Sequence, residues 1–241
     1  MTITSAPQRS GHTAHHSRLA LIAAYAGALV LAVFGIVALV HGGGSSGSGI
    51  RGSGTAATQT RNVASFSSLN LAGANDVTVT VGARQAVVVR ADSNLLGHVT
   101  TQVVAGTLVI GDTGSFTTRT PMSVDVTVPS LTAVSLSGDG QISITGINAT
   151  RLTVTVSGSG LLSAAGNVTR LDVTLSGDGQ AQLSQLTARD VHAVVTGSGL
   201  IQVTATTSLD AAVPGTGAVI YGGNPPQVTT SVTGTGTVMR G

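Results

Sequence analysis

The stretch Ser137-Gly138-Asp139-Gly140-Gln141 returns five more times along this chain, and that return limits the fold more than any other feature. Its copies open at Ser157, Ser176, Thr196, Pro214 and Thr233, so successive starts lie 20, 19, 20, 18 and 19 residues apart. A period of this length implies stacked units, none of which buries a core alone. Aligned on the opening residue, the position just before each corner holds Leu136, Val156, Leu175, Val195, Val213 and Val232. Two residues earlier stand Val134, Val154, Val173, Ala193, Ala211 and Thr230; four earlier stand Thr132, Leu152, Leu171, Val191, Leu209 and Val228. After the corner, alternation resumes on pairs such as Ile142 and Ile144, Leu162 and Ala164, and Ile201 and Val203.

Each unit therefore reads as one strand leading into a sharp bend and a second leading out, both with an inward apolar face. The predicted fold is all-β: a parallel β-solenoid, right-handed and β-helix-like, with rungs of about 19–20 residues. Its structural turn glycines are Gly138 and Gly140, Gly158 and Gly160, Gly177 and Gly179, Gly197 and Gly199, Gly215 and Gly217, and Gly234 and Gly236. They are expected to supply the backbone freedom of a corner, including positive φ.

The residue between each pair of glycines reads Asp139, Ser159, Asp178, Ser198, Thr216 and Thr235, so acids alternate with uncharged rungs. Stacking would put the two carboxylates about 9.6 Å apart, two strand spacings. Inverting glycosidases use a separation of about 6.5–9.5 Å. However, Asp and Ser are ordinary turn formers, the chain has no Glu, and no aromatic platform accompanies the acids. Asp139 and Asp178 stand as the candidate ligand-binding residues; no catalytic residue is assigned, and charge spacing is the preferred account of the alternation.

Metal and cofactor chemistry find no better footing. Calcium-binding repeats need ligands from successive turns, whereas alternate rungs here lack the acid. No metal site and no cofactor are expected. His98 follows Asp92-Ser93-Asn94, a helix N-cap candidate, and reads as a surface residue beside a short helical turn. His192 is the one His in the repeats, and strand alternation turns it outward. Nothing resembles a nucleophile elbow. From Arg61 onward, eight Arg oppose nine Asp with no basic cluster, which excludes a nucleic-acid partner. There is no Cys, hence no disulfide framework and no lipidated thiol.

The N-terminal quarter is different in kind. Residues 1–18 carry Arg9 and Arg18 without an acid and precede Leu19–Val40, which is 22 residues without a charge. At about 1.5 Å per residue such a helix spans roughly 33 Å, enough for a bilayer. The expected organisation is a short basic cytoplasmic tail at 1–18, a transmembrane helix at 19–40, a Gly/Ser/Thr-rich linker at 41–61 and an extracytoplasmic β-solenoid at 62–241. A cleavable signal peptide is the alternative for the apolar segment.

The runs Phe66-Ser67-Ser68-Leu69, Asp76-Val77-Thr78-Val79, Asp92 to Leu96, Gly106 to Ile110 and Val128-Pro129-Ser130-Leu131, followed by the S-G-x-G corners, resemble the bacterial head GIN domain family. That family is also described as a "putative autotransporter adhesin" of otherwise unknown function. The resemblance covers about residues 62–241 and implies an exported β-solenoid with no catalytic residues to transfer.

The functional expectation is a non-enzymatic, membrane-tethered adhesive, binding or structural module of the cell envelope, with a glycan or envelope protein as ligand. A polysaccharide-active enzyme on the same scaffold and an envelope-sensing accessory protein are the alternatives. The last rung lacks a sequence cap, so either copies self-associate through that end or the segment before residue 130 shields it.

Overall fold

The computed structural model describes residues 49–82 and 84–241. The expected cytoplasmic tail, the apolar span Leu19–Val40 and the linker up to residue 48 lie outside those residues. Among the described residues no helix is long and apolar enough to cross a membrane.

Residues 49–61 were expected to be a tether, yet they contain β1 (Ile50–Arg51) and β2 (Ala56–Arg61). β2 adds antiparallel to β5 (Ala86–Asp92), from Ala56 opposite Asp92 to Arg61 opposite Val87. Arg61 Nη2 then donates to the carbonyls of Leu96 and Val99 at 2.5 and 3.2 Å. The composition reads as linker because the strand that orders it lies far downstream. β1 pairs in parallel with β8 (Phe116–Thr117).

The rungs do not stack in chain order. β3 (Ser68–Leu71) and β4 (Asp76–Val81) flank the corner Ala72-Gly73-Ala74-Asn75, and β4 leaves a strand-wide slot beside it. β5 returns antiparallel, and a 3-10 turn at Leu96–His98 carries the chain across. This is the helical turn expected after Asp92, but its N-cap position is Leu95. β6 (Val99–Val104) and β7 (Thr107–Asp112) form a two-residue hairpin through Ala105 and Gly106, both with positive φ (48° and 75°), as the twist of paired strands requires. β7 pairs in parallel with β3, and β9 (Ser123–Val128) fills the slot between β4 and β5. β10 (Ala133–Leu136) then takes the other side of β3.

From there the chain stacks regularly. β11 (Gln141–Val156), β12 (Leu161–Leu175), β13 (Gln180–Val195) and β14 (Leu200–Val213) are long strands, each leaving one corner and entering the next. β15 (Ala218–Gly223), β16 (Gln227–Val232) and β17 (Thr237–Arg240) complete the stack. All of these pairings are parallel, so equivalent residues form columns such as Leu152-Leu171-Val191-Leu209, every member buried. Burying each such Val, Leu or Ile contributes about 1.5–3 kcal/mol, which is why the alternation specifies the fold.

Two departures stand out. Thr132 is exposed, and Leu131, 2% exposed, takes the core position instead. On the last rung Val228 and Val232 are 43% and 44% exposed, while Thr230 and Arg240 continue the columns of Ala211 and Tyr221. Among the described residues the segment before residue 130 does not shield that rung: β2, β5 and β6 lie at the opposite end of the strand order.

The corner glycines are there for a different reason from the one expected. None of the twelve has positive φ. What they share is a neighbouring rung so close that a Cβ would strike its carbonyl: Gly138 against Gly73 O at 2.2 Å, Gly158 against Gly138 O at 2.1 Å, Gly199 against Gly179 O at 2.1 Å. Positive φ occurs at the other bend of the rung, at Gly146, Gly166 and Gly223. That bend also carries the register shifts, for example between Ile144 and Ile147 and between Leu183 and Thr187. Bulges there absorb the differences in rung length, so the G-x-G corner stays in register.

The pairing of β2 makes a prediction about chain length. A chain of residues 62–241 leaves the edge of β5 bare, and a bare strand edge invites association. It should melt at lower temperature and scatter more light on heating than a chain of residues 48–241. Identical melting and scattering of the two would contradict the role given to β2.

Candidate functional site

The outward residues of a rung sit between the core positions, so they too form columns. One runs Thr153, Asp172, His192, Asp210, Thr229, and its neighbour runs Arg151, Arg170, Asp190, Ser208, Gln227. On strands β12 to β14 they enclose an open groove of about 320 Å³, lined by Arg170, Asp172, Asp190, Val191, His192, Ser208 and Asp210. Val191 is its buried apolar floor, 3% exposed.

Along this face most polar groups pair across rungs. Arg151 donates from Nε and Nη2 to Asp172 Oδ2, both at 2.8 Å. His192 Nδ1 lies 3.1 Å from Asp210 Oδ2, and Ser208 Oγ donates to Asp190 Oδ1 at 2.7 Å. The Asp172 side chain is 23% exposed, against 46% for His192 and 52% for Asp210. Exposed pairs of this sort contribute about 0–1 kcal/mol each to stability, so folding alone is a weak reason for the arrangement. A register shift between Ala188 and Asp190 places a bulge on β14 beside the groove, and bulges re-aim the side chains next to them.

Ser, His and Asp meet here, but the connections are not those of a nucleophilic triad. Ser208 bonds to Asp190 while His192 bonds to Asp210, so the hydroxyl is not aimed at the imidazole. Among the described residues no group of three or more His, Cys, Asp or Glu is arranged to hold a metal ion.

Asp139 and Asp178 lie elsewhere, exposed at the corners. The equivalent middle positions Ser198 and Thr216 are joined by a hydroxyl bond of 3.1 Å. His98 is half-buried: its Nδ1 contacts the Thr113 carbonyl at 2.9 Å, and its ring tilts against Phe116 with centroids 6.0 Å apart. His192 is exposed, as alternation predicts.

Sequence reasoning missed the groove. The signal was available four and six residues before each corner, at Asp172, His192 and Asp210 and at Arg151, Arg170 and Asp190. Those positions alternate with the apolar ones on which the alignment was built.

Asp92, unlike the groove, is a buried polar centre, and its work is structural. Fully buried, it accepts from the backbone N–H of Gly54 at 2.6 Å, Arg119 at 2.8 Å and Thr120 at 3.2 Å. The Arg119 N–H holds its carboxyl below the usual carboxylate range; burial opposes this, and the Thr120 and Gly54 donors add to the lowering. Gly52 has no Cβ because one would meet Asp92 Oδ2 at 2.4 Å.

Parallel rungs in register, with an ordered polar face outside an apolar core, define a β-solenoid repeat protein. The chain belongs to the family described as "Putative auto-transporter adhesin, head GIN domain", whose model matches residues 65–225, and the sequence resemblance is thereby borne out. Among solved structures it is similar to a "putative adhesin" from Bacteroides fragilis NCTC 9343, at 22% identity over 80% of this chain and 100% of that one, with a TM-score of 0.67. It is also similar to a "putative lipid binding protein" from Parabacteroides distasonis ATCC 8503, at 21% identity over 80% and 100% of the two chains, with a TM-score of 0.53. At these identities the likeness is one of fold. Comparison with curated proteins gave no match.

Proposed function

We propose that this protein is a non-catalytic adhesive or binding module of the bacterial cell envelope, tethered by its N-terminal segment. The observation that carries the reading is the outward face of β11 to β14: a continuous, register-locked polar surface on a rigid stack, in a family described as adhesin-like. Many weak polar contacts repeated along a rigid scaffold suit binding to an extended surface through avidity. The apolar run Leu19–Val40 supports a single span, N-terminus inside and solenoid outside, with a cleaved signal peptide as the competing origin.

Full-length protein reconstituted in vesicles should retain isolated envelope fragments, and the solenoid should be digested by protease added outside cells. A protein that retains no envelope material contradicts the binding role; one whose solenoid is protected until the inner membrane is opened contradicts the orientation. Contact between copies through β16 is a second mode, favoured by the exposure of Val228 and Val232 at that edge. Light scattering of the same preparation at rising concentration reads it, and constant mass would exclude it.

A further inference from the structure

We infer that the groove over β12, β13 and β14 is a saccharide-binding site, taking a neutral polyhydroxylated chain laid along the stack. This inference rests on the binding role proposed above and names its ligand class and its residues.

The first argument is the mixture of groups. Two guanidinium groups, an imidazole and three carboxylates share one face, and most are already paired across rungs. The groove itself is lined by Arg170 and three aspartates. Asp172 is bound by Arg151 beside it, Asp210 by His192 and Asp190 by Ser208, so each carboxylate is already engaged and little is left to hold a simple ion. These pairs do leave both donors and acceptors at the surface: a carboxylate accepts through two oxygens, and a guanidinium donates through five N–H groups. A sugar hydroxyl donates and accepts at once, so a run of hydroxyls satisfies such a surface where a simple anion or cation would not.

Second, the face lacks what a protein partner needs. Protein interfaces are anchored by large apolar or aromatic side chains that are desolvated on contact. The exposed large hydrophobic residues of the described chain are Ile50, Val228, Val232 and Met239, and none lies in the groove. The groove floor, Val191, is a buried core residue and is too enclosed to act as an anchor.

Third, the groups are spaced and held. Asp172, His192 and Asp210 stand on three successive rungs in exact register, which sets them about 4.8 Å apart along the stack. Each is flanked along its strand by buried core residues, such as Leu171 and Val173 or Val191 and Ala193, so little ordering entropy is lost when a ligand binds. Thr153 extends the same column by one rung, and Thr229 by one rung at the other end, both bearing hydroxyls. A linear polymer meets a repeating row of this kind many times over, and the weak contact at each rung adds up.

The test uses the full-length protein and soluble glucan, mannan and galactan chains, with polygalacturonate as the acidic comparison, read by affinity electrophoresis and calorimetry. At least one neutral chain should bind in preference to polygalacturonate. His192→Ala and Asp210→Asn should each weaken that binding about tenfold, the loss of one or two hydrogen bonds to charged groups. Asp139→Asn should leave it unchanged. Both cluster positions are exposed, so the variants should melt with the native protein; Arg170→Ala serves if either does not. Binding that survives all the cluster variants overturns the site while leaving a binding role intact. Retention of envelope protein with no affinity for any of the four polymers overturns the ligand class alone. A preference for polygalacturonate overturns the neutral-ligand assignment.

Discussion

Replacing Gly199 by alanine will destabilise the fold by about 3 kcal/mol, the upper part of the range for an overpacked site. The new Cβ would lie 2.1 Å from the carbonyl oxygen of Gly179 and 2.7 Å from Leu175 Cδ2. Neither neighbour can move freely. The carbonyl of Gly179 accepts the N–H of Leu200, and Leu175 is wholly buried. The rung above is bound in the same way, since a Cβ on Gly217 would meet Gly199 O at 2.3 Å. In a stacked protein each rung is stabilised by its neighbours, so a spacer forced into one corner weakens two interfaces.

A comparison isolates the cause. Gly106 has φ +75° and open space where its Cβ would go, so Gly106→Ala tests conformational freedom without a clash. It should cost about 1–2 kcal/mol, the ordinary penalty of a left-handed conformation. Thr155→Ala, on the outer face, should stay within about 0.5 kcal/mol. Urea denaturation of the three variants gives the order directly. If Gly106→Ala proves the worst of them, torsion rather than stacking distance governs the glycines of this fold.

The second large effect is expected at Asp92. Its carboxyl holds the backbone N–H groups of Gly54, Arg119 and Thr120, just beyond the short pair formed by β1 and β8. Asp92→Ala leaves these three part-buried donors without their acceptor, a penalty that falls on the folded state alone. The melting temperature should drop well beyond that of Asp125→Ala, which removes only an exposed pair with Arg90. The pH dependence has a definite sign. The folded carboxyl titrates below its ordinary value of 3.8, so its stabilisation is fully present above that value and is lost as the pH falls through the lower, folded value. Native protein should therefore lose stability below about pH 4, and Asp92→Asn should flatten that acid limb. An acid limb that is unchanged in Asp92→Asn would assign it to other carboxylates.

These two residues also mark how far local reading reaches. Gly199 could be recognised as a corner residue because its spacing recurs, yet the distance that forbids a side chain is a contact between rungs. Asp92 looks like a helix N-cap from Asp92-Ser93-Asn94, since its local context is that of a cap. Its true donors lie 38, 27 and 28 residues away, and no local rule connects them. Likewise Ala56–Arg61 has the composition of a linker, and only the free edge of β5 makes it a strand.

The outer face shows the same limit from another side. Asp139 and Asp178 attracted attention because the corner repeats, and each stands exposed at that corner. Asp172, His192 and Asp210 carry no motif, and they become neighbours because the strands align at constant offset through their second halves. That offset depends on bulges at the opposite bend, whose positions follow irregular glycines such as Gly146 and Gly166.

By itself, then, the sequence determined the repeat, its inward columns from Leu136 to Val213, and the parallel solenoid those columns require. Apolar alternation and a fixed period act through every rung at once, so they need no knowledge of distant partners. The tertiary structure decided the rest: the placement of β7 and β9 ahead of β3 and β4 in the stack, the use of Asp92 as a clasp, and the gathering of charged groups over β12 to β14. Each of these depends on contacts between segments far apart in sequence. The repeated corner at Ser137-Gly138-Asp139-Gly140 owes its glycines to the same circumstance, because the carbonyl a side chain would strike belongs to the neighbouring rung.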